Sequence, residues 1–229
     1  MIQNIPDAYF HAQTEKTDFL VHDFKMTKEV VKNKVNLTSN MFSFLQTGEK
    51  KVHFENAFVE VNKSQSVLIR SGNCLMTELP DNDHVYYCKL FFFTDKSIAN
   101  FLKKHEDVLG NYVKQQHPES PFFVIQNDDF IFSFVNSITI ILNLKTPLKP
   151  LLDVKFEEIM LYLCHKYEAQ FINYIRGCAA STTRTTFKNI VEANINSDLN
   201  LSEIAFLANM SLSTFKRHFI ISPKNRTVI

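Results

Sequence analysis

The chain has 229 residues and a formal net charge of +1, and 45% of its residues are hydrophobic. This apolar content, with 22 phenylalanines, provides enough surface for a buried core and excludes a disordered chain. The length suits one large domain or two ordinary ones, and we expect two. Residues 181–229 hold six basic and three acidic residues, a net +3 that leaves −2 on the rest. This small asymmetry is compatible with a tail that binds nucleic acid.

The amino terminus lacks a basic region followed by a long apolar run, so no signal peptide is predicted. The most apolar stretch, residues 130–144, is interrupted by polar side chains and is shorter than the ~18 apolar residues of a membrane span. The cysteines form no Cys-x-x-Cys pair; they are Cys74, Cys88, Cys164 and Cys178. We therefore expect neither a disulfide framework nor a structural zinc site, and a location in the reducing cytoplasm without membrane contact.

Short runs of β-branched and aromatic residues fill the chain between Phe19 and Thr94. Turn-forming groups separate these runs, at Gly48, at residues 62–64, at residues 71–73 and at residues 80–83. Strands are predicted at residues 19–24, 41–45, 51–61, 66–70, 75–79 and 85–93. Several short strands at hairpin spacing indicate an antiparallel sandwich or barrel.

The pattern becomes helical after Thr94, and Asp95 is predicted to cap a helix over residues 96–105. A loop is expected around Pro118 and Pro121. Two further helices, at residues 128–144 and at about 154–167, each carry an apolar stripe. Either these stripes belong to the intramolecular core, which is the simpler interpretation, or they supply the interface of a homodimer.

Residues 181–186 are polar and are predicted to be a linker, followed by three short helices over residues 187–194, 202–209 and 212–219. Asn200 can cap the second of these helices while Glu203, three positions later, returns a bond to the backbone of the cap. Ser211 follows a short turn at residues 209–211 and is placed to cap the third helix. These are the local signals of two helices joined by a tight turn.

Leu212, Phe215 and Phe219 recur at i, i+3 and i+7, which predicts that they face inward. The outward side chains are then Ser213, Thr214, Lys216 and Arg217. Arginine can bond the edge of guanine with two hydrogen bonds, lysine can reach guanine or phosphate, and hydroxyl groups can bond bases or phosphates. On the pattern alone, an ordinary amphipathic hairpin with a solvated basic face fits equally well.

The segment from Ser202 to Phe219 resembles the first helix-turn-helix of the AraC family of bacterial transcription regulators, in Ser202-Glu203-Ile204-Ala205-Phe206-Leu207 and in Asn209-Met210-Ser211-Leu212-Ser213-Thr214-Phe215-Lys216-Arg217-His218-Phe219. Residues 130–137 and 155–163 resemble the helices that precede the DNA-binding region in this family. Residues 48–79 are similar to its cupin-like amino-terminal barrel.

The resemblance implies an α+β protein in three parts. They are a cupin-like antiparallel β-barrel that senses a signal (residues 1–94), a helical dimerisation region (residues 95–180) and a partial DNA-binding domain (residues 181–229). The family normally has two helix-turn-helix units, whereas this sequence ends ten residues after Phe219. The second unit is therefore expected to be missing, either because the natural chain is shortened or altered or because the sequence is a fragment.

A metal enzyme on a cupin-like barrel is a weaker alternative, since that fold often uses a His-x-His pair with a nearby Glu. The only candidate stretch is His53-Phe54-Glu55, which lacks the second histidine, so His53 is predicted to be a surface strand residue. The chain has no nucleophile elbow, phosphate-binding glycine loop or dinucleotide fingerprint. We expect no catalytic residue, no metal site and no cofactor.

The sequence therefore predicts a regulator that binds promoter DNA, with a small-molecule or protein effector acting at the amino-terminal region and a homodimer formed by the helices. The residues expected to contact double-stranded DNA are Ser211, Ser213, Thr214, Lys216 and Arg217. The alternative is a sensing and dimerising module whose DNA binding is lost or weak because the second helix-turn-helix is absent.

Overall fold

The computed structural model describes residues 2–10, 17–110, 120–144, 149–180 and 187–221. Ten strands occur in these ranges: β1 (Gln3–Ile5), β2 (Phe19–Met26), β3 (Val30–Leu37), β4 (Asn40–Thr47), β5 (Glu49–His53), β6 (Phe58–Asn62), β7 (Gln65–Ile69), β8 (Gly72–Leu79), β9 (Tyr86–Phe93) and β10 (Phe122–Gln126). The helices in the same ranges are α1 (Asp95–Lys104), α2 (Glu106–Leu109), α3 (Asp129–Leu142), α4 (Lys149–Ala180), α5 (Phe187–Asn194), α6 (Leu201–Leu207) and α7 (Leu212–Ile221). The predicted α+β class is confirmed.

The strands form two five-stranded sheets, which together are called the two-sheet unit below. Sheet A has the order β1-β3-β8-β5-β6, and sheet B has the order β10-β7-β4-β9-β2. Every pairing is antiparallel except that of β1 with β3. The tight turn from β4 into β5 needs Gly48, whose φ is +89° and where an added Cβ would lie 2.4 Å from the backbone oxygen of Leu79.

Sheet B is covered on both faces. One face packs against sheet A, where Met41, Leu45 and Phe92 are buried. The other face packs against the helices, where Phe42 and Phe44 lie in the same core as residues of α3 and α4. Because both faces are buried, β4 and β9 are nearly continuous apolar runs rather than alternating ones.

Helix α4 shows that the apolar stripes of the two central helices are mainly intramolecular. The predicted stripe residues of both helices, among them Phe134, Ile159 and Leu163, lie in the core against sheet B. The predicted end near residue 167 coincides with a break at Glu168, where φ is +45°, but the second helical segment of α4, which continues from there to Ala180, was not predicted. Phe171 and Ile175 keep this second half in the same core. Within the described ranges, no helix combines the length and the apolar character needed to cross a bilayer.

Other sequence predictions need correction. The strand predicted over residues 51–61 is two strands, β5 and β6, because the chain turns back between them. The cap of α1 is Thr94 rather than Asp95, since the Thr94 side chain accepts the backbone N–H of Ser97. Strands β1, β3 and β10 were not predicted, and Gly72 and Asn73 begin β8 instead of forming a turn. The predicted linker at residues 181–186 and the expected loop at Pro118 lie outside the described residues.

Helices α5 to α7 form a third, smaller core. Buried Ile190, Ala205 and Phe215 come from the three helices in turn. Leu75 of β8 also belongs to this core and is completely buried there. Successive side chains of a strand point to opposite faces, so Leu75 faces these helices while its neighbours Cys74 and Met76 face the core between the sheets. The two-sheet unit therefore contributes a side chain to the core of α5, α6 and α7.

Candidate nucleic-acid interface

Helix α7 carries the outward side chains that the sequence predicts to contact DNA, Ser213, Thr214, Lys216 and Arg217, and this surface is called the reading face below. Ser213, Lys216 and Arg217 are exposed on its outer side and Thr214 is half-buried. Phe215 anchors the opposite side, with 1% of its surface exposed and its ring 5.0 Å from that of Phe187. The structure thus brings the two predicted cations and the Ser213 hydroxyl to one solvent-facing surface.

The start of α6 is fixed by the capping box that the sequence predicted. The Asn200 side chain accepts the backbone N–H of Ser202 at 3.0 Å and that of Glu203 at 3.1 Å, and the Glu203 carboxylate accepts the backbone N–H of Asn200 at 2.8 Å. These bonds satisfy amides that no helix can satisfy internally at its first turn. The start of α6 is therefore set by its own local sequence.

The turn between α6 and α7 is built from Asn209 and Ser211. Asn209 has φ of +53°, a left-handed conformation that asparagine tolerates better than most residues. The Ser211 hydroxyl accepts the backbone N–H of Thr214 at 3.1 Å, which confirms its predicted role as the cap of α7. Its oxygen also lies 2.9 Å from the hydroxyls of Ser213 and Thr214. Ser211 is thus engaged in the turn as well as exposed beside the reading face.

One residue of the predicted inner stripe of α7 is placed differently. Leu212 was expected to face inward with Phe215 and Phe219, but 38% of its surface is exposed. It lies in the first turn of α7, at the rim of a pocket of about 270 Å³ between α6, α7 and the two-sheet unit. The pocket is lined by Ile2, Lys34, Ser202, Phe206, Met210 and Leu212. Leu212 is therefore at the edge of the core rather than inside it.

Helices α5 and α6 rest on the outer surface of sheet A, an arrangement that the sequence did not predict. This surface is called the docking face and consists of Lys32, Lys34, Glu55, Asn73 and Leu75. The side chain of Asn194 donates to the backbone oxygen of Glu55 at 2.7 Å, and the Lys34 ammonium donates to the Ser202 hydroxyl at 2.8 Å. The Asn73 amide donates to the backbone oxygen of Phe206 at 2.9 Å. These contacts join residues more than 130 positions apart, so no local pattern signals them.

A bulge in β3 directs Lys32 toward the docked helices. The register of β3 against β8 shifts between Val30 and Asn33, and Lys32 has φ of +50°. Bulges commonly redirect a side chain in this way. The Lys32 ammonium then reaches the carboxylate of Asp198 at 2.9 Å and its backbone oxygen at 2.7 Å. Hydrogen bonding from Lys32 holds the pKa of Asp198 below its usual value.

His53 is a strand residue at the end of β5, as the sequence predicted, but it is half-buried rather than on the surface. The His53 side chain lies where the two-sheet unit meets the segment between α5 and α6. Its Nε2 lies 3.7 Å from a carboxylate oxygen of Asp198, and its ring packs 4.5 Å from that of Phe58. Burial lowers the pKa of His53, and the carboxylate of Asp198 only partly offsets that effect. In the described part of the chain, no three His, Cys, Asp or Glu side chains are grouped closely enough to hold a metal ion.

The interior of the two-sheet unit holds a buried ion pair. Lys50 of β5 and Glu78 of β8 are register partners, and the ammonium nitrogen lies 2.9 Å from the carboxylate. The Tyr86 hydroxyl donates to the same carboxylate oxygen at 3.4 Å. Tyr9 of the amino-terminal segment stacks on His22 at 4.3 Å and belongs to the same core. Burial raises the pKa of the nearby Cys74 thiol to about 12, so this thiol stays protonated and unreactive at neutral pH.

Several apolar side chains of the central helices remain exposed. On α3, Phe132 and Ile140 have 46% and 67% of their surface exposed. On α4, Val154 is 61% exposed and Leu161 is 39% exposed. No other part of the described chain covers these positions, in contrast to the buried stripes of the same helices.

Comparison with known proteins identifies the family. The model of the ExsA N-terminal regulatory domain matches residues 40–174, which is more than half of the chain. The chain belongs to this family of regulatory domains, and the resemblance to AraC-type transcription regulators is thereby confirmed. No match was found among curated proteins.

Among solved structures, the chain is similar to ToxT from Vibrio cholerae. It is 13% identical with a TM-score of 0.48, and the match covers 89% of this chain and 76% of ToxT. The AraC-like transcriptional activator CuxR is 13% identical with a TM-score of 0.40, covering 90% of this chain and 72% of CuxR. Oxalate decarboxylase from Bacillus subtilis is 9% identical with a TM-score of 0.30, covering 52% of this chain and 36% of that enzyme.

Proposed function

We propose that the protein is a sequence-specific DNA-binding transcription regulator of the bacterial cytoplasm, in which α6 and α7 form a helix-turn-helix. The observation that carries this proposal is the exposed face of α7, where Ser213, Lys216 and Arg217 point to solvent while Phe215 fixes the helix on α6. Such a helix fits the major groove of double-stranded DNA. The protein is not proposed to be an enzyme, and no catalytic residue, metal or cofactor is assigned.

Each side chain of the reading face has a role in this proposal. Arg217 bonds the edge of a guanine, and Lys216 bonds a guanine or a phosphate. Ser213 and Thr214 bond bases or phosphate oxygens. Ser211, whose hydroxyl already caps α7, contacts the phosphate backbone beside the start of the helix.

We propose that the protein has three parts. Residues 1–94 form a cupin-like sensing barrel, residues 95–180 a dimerisation region and residues 181–229 the DNA-binding part. A small-molecule or protein effector acts on the first part. The family match supports this assignment, because it is to a regulatory domain and lies entirely within the first two parts.

The DNA-binding proposal is tested with duplexes that the wild-type chain selects from a randomised library. Arg217→Ala removes a two-bonded base contact worth about 1–3 kcal/mol, so the affinity for a selected duplex should fall roughly 5- to 150-fold. The matched control is Lys188→Ala, which removes an exposed cation on α5 whose ammonium nitrogen lies 3.6 Å from the carboxylate of Glu192 at i+4. It should keep the wild-type affinity within about three-fold, since one exposed helical pair contributes only a few tenths of a kcal/mol.

Two results would change this proposal. A wild-type chain that selects no sequence from the library would favour the alternative function, a sensing and dimerising module with lost or weak DNA binding. Equal losses in Arg217→Ala and Lys188→Ala would show that the assigned face of α7 is wrong.

We also propose that the protein is a homodimer through α3 and α4. The support is the set of apolar side chains that these helices leave exposed, of which Ile140 is the most exposed on α3. Light scattering of the wild-type chain at tens of micromolar should give the mass of a dimer. Ile140→Glu should give a monomer, whereas Val108→Glu, at an equally exposed apolar position on α2, should not. A monomeric wild-type chain contradicts the proposal.

A further inference from the structure

We propose that Asn73, a residue of the two-sheet unit, is a positioning residue for DNA reading. This inference rests on the proposed function of α6 and α7. The Asn73 amide donates to the backbone oxygen of Phe206 at 2.9 Å. Phe206 is the penultimate residue of α6, and the last carbonyls of a helix have no partner within the helix. Asn73 therefore caps the carboxyl end of α6 from another part of the chain.

The capped carbonyl lies where the chain turns toward α7. The backbone N–H of Asn209 donates to the same oxygen of Phe206 at 3.0 Å, and the Asn73 amide lies 3.5 Å from the side-chain oxygen of Asn209. Asn209 is the left-handed residue that changes the direction of the chain between the two helices. The amide of Asn73 thus contacts both the end of α6 and the residue that sets the direction of α7.

Asn73 is itself held firmly. It lies in β8, the central strand of sheet A, and pairs with Asn36 of β3. Two positions farther along the strand, Leu75 is buried under α5, α6 and α7. At the opposite end of α6, Lys34 bonds the hydroxyl of Ser202. Helix α6 is therefore fixed to the two-sheet unit at both ends, and α7 takes its orientation from the turn that Asn73 contacts.

The physical consequence concerns specificity more than affinity. Base contacts require donors placed to within about 0.5 Å and 10–20°, whereas contacts to the repeating phosphates tolerate small rotations of a helix. Loss of the Asn73 bond frees the turn, and the reading helix then samples several tilts. Discrimination between duplexes should fall while binding to unrelated DNA changes little. A residue that only stabilises the fold would lower both kinds of binding together.

The test compares Asn73→Asp with Asn36→Asp. Asn73→Asp keeps the size of the side chain but replaces the N–H donor with an oxygen that faces the carbonyl of Phe206. Asn36 is the matched control, because it is the register partner of Asn73, is also half-buried, and bonds the side chain of Asn4 instead of the docked helices. Both variants add the same negative charge at nearly the same place, so a general electrostatic effect on DNA cancels.

The probes are a duplex selected by the wild-type chain from a randomised library and a scrambled duplex of the same composition. We expect the ratio of the two affinities to fall about ten-fold in Asn73→Asp, as expected for the loss of a well-placed hydrogen bond, and to stay near the wild-type value in Asn36→Asp. Asn73→Ala, which removes the donor without adding charge, should behave like Asn73→Asp. Circular dichroism and melting curves establish that each variant is folded, and Asn73→Ala decides the outcome if Asn73→Asp does not fold.

The outcomes separate this inference from the function on which it rests. A wild-type chain that does not discriminate between the duplexes overturns the proposed function, and the positioning role with it. A discriminating wild-type chain whose Asn73→Ala variant discriminates equally well overturns the positioning role alone. The same conclusion follows if both affinities fall in parallel, because that result assigns Asn73 to stability only.

Discussion

Leu75 offers the sharpest test of the docking of α5, α6 and α7 on sheet A. It is fully buried, and in the described chain it is the one residue of the two-sheet unit in the core of these helices. Truncation of a buried leucine to alanine costs about 2–5 kcal/mol. Because the lost contacts are those with the docked helices, we expect Leu75→Ala to weaken docking by about 3 kcal/mol, which corresponds to a factor of about 100 in the docking equilibrium.

The measurement is amide hydrogen exchange under native conditions. Amides of α5 and α6 should exchange about 100-fold faster in Leu75→Ala, whereas the slowest amides of β4 and β9 should keep their wild-type rates, because local openings are independent of the global one. Leu68→Ala is the matched control. Leu68 is almost equally buried, but it lies in the core between sheet B and helices α3 and α4. Its truncation should therefore accelerate amide hydrogen exchange in β4 and β9. Unchanged exchange in α5 and α6 of Leu75→Ala would refute the docking argument.

Three further predictions concern single groups. Lys50→Met should cost about 3–5 kcal/mol in urea unfolding because it leaves the Glu78 carboxylate buried without its partner, and Lys50→Met with Glu78→Gln should recover part of that loss. Burial raises the pKa of Asp128, but hydrogen bonding from Lys166 outweighs this effect and keeps the pKa below 3.8. The ionised Asp128 carboxylate therefore contributes its full stabilisation above pH 3.8, and this stabilisation is lost as the pH falls through the lowered pKa. Acid unfolding of Asp128→Asn should lack this loss of stability. Asn200→Ala should lower the melting temperature by removing about 1 kcal/mol of helix capping, and an unchanged value would contradict that role.

Features encoded in adjacent residues were predicted from the sequence. The capping box of Asn200 and Glu203 and the serine cap of α7 depend on residues within four positions of one another. The core stripe of α3 follows from helical periodicity, whereas the cap of this helix, in which the Asp128 carboxylate accepts the backbone N–H of Ile131, was not predicted. For these elements, the local pattern and the tertiary structure favour the same conformation.

Features that depend on distant contacts were missed. Strand β3 contains Lys32 and Lys34, and such charges are typical of a polar loop. Lys32 bonds Asp198, between α5 and α6, and Lys34 bonds Ser202 of α6, so these lysines are explained only by the tertiary structure. Asn73 stands in a group that is typical of a turn, and only its pairing with β3 makes it part of a strand. His53 looks like a surface residue because its cover comes from a segment more than 140 positions later. The exposed face of α7 was predicted, but the docking of α5 and α6 on sheet A was not.

The alternation of side chains along β8 limits how parts of this chain can be exchanged with those of other proteins. Asn73 and Leu75 contact the docked helices, whereas Cys74 and Met76 pack in the interior of the two-sheet unit. In a chimera that joins foreign helices at residue 181, the side chains of β8 therefore do not match the helices that dock on them, even though the junction lies far from β8 in sequence. A folded chimera needs the outward-facing residues of β3 and β8 to be transferred together with the helices. The part that can be exchanged is therefore a surface with its docked helices rather than a continuous stretch of chain.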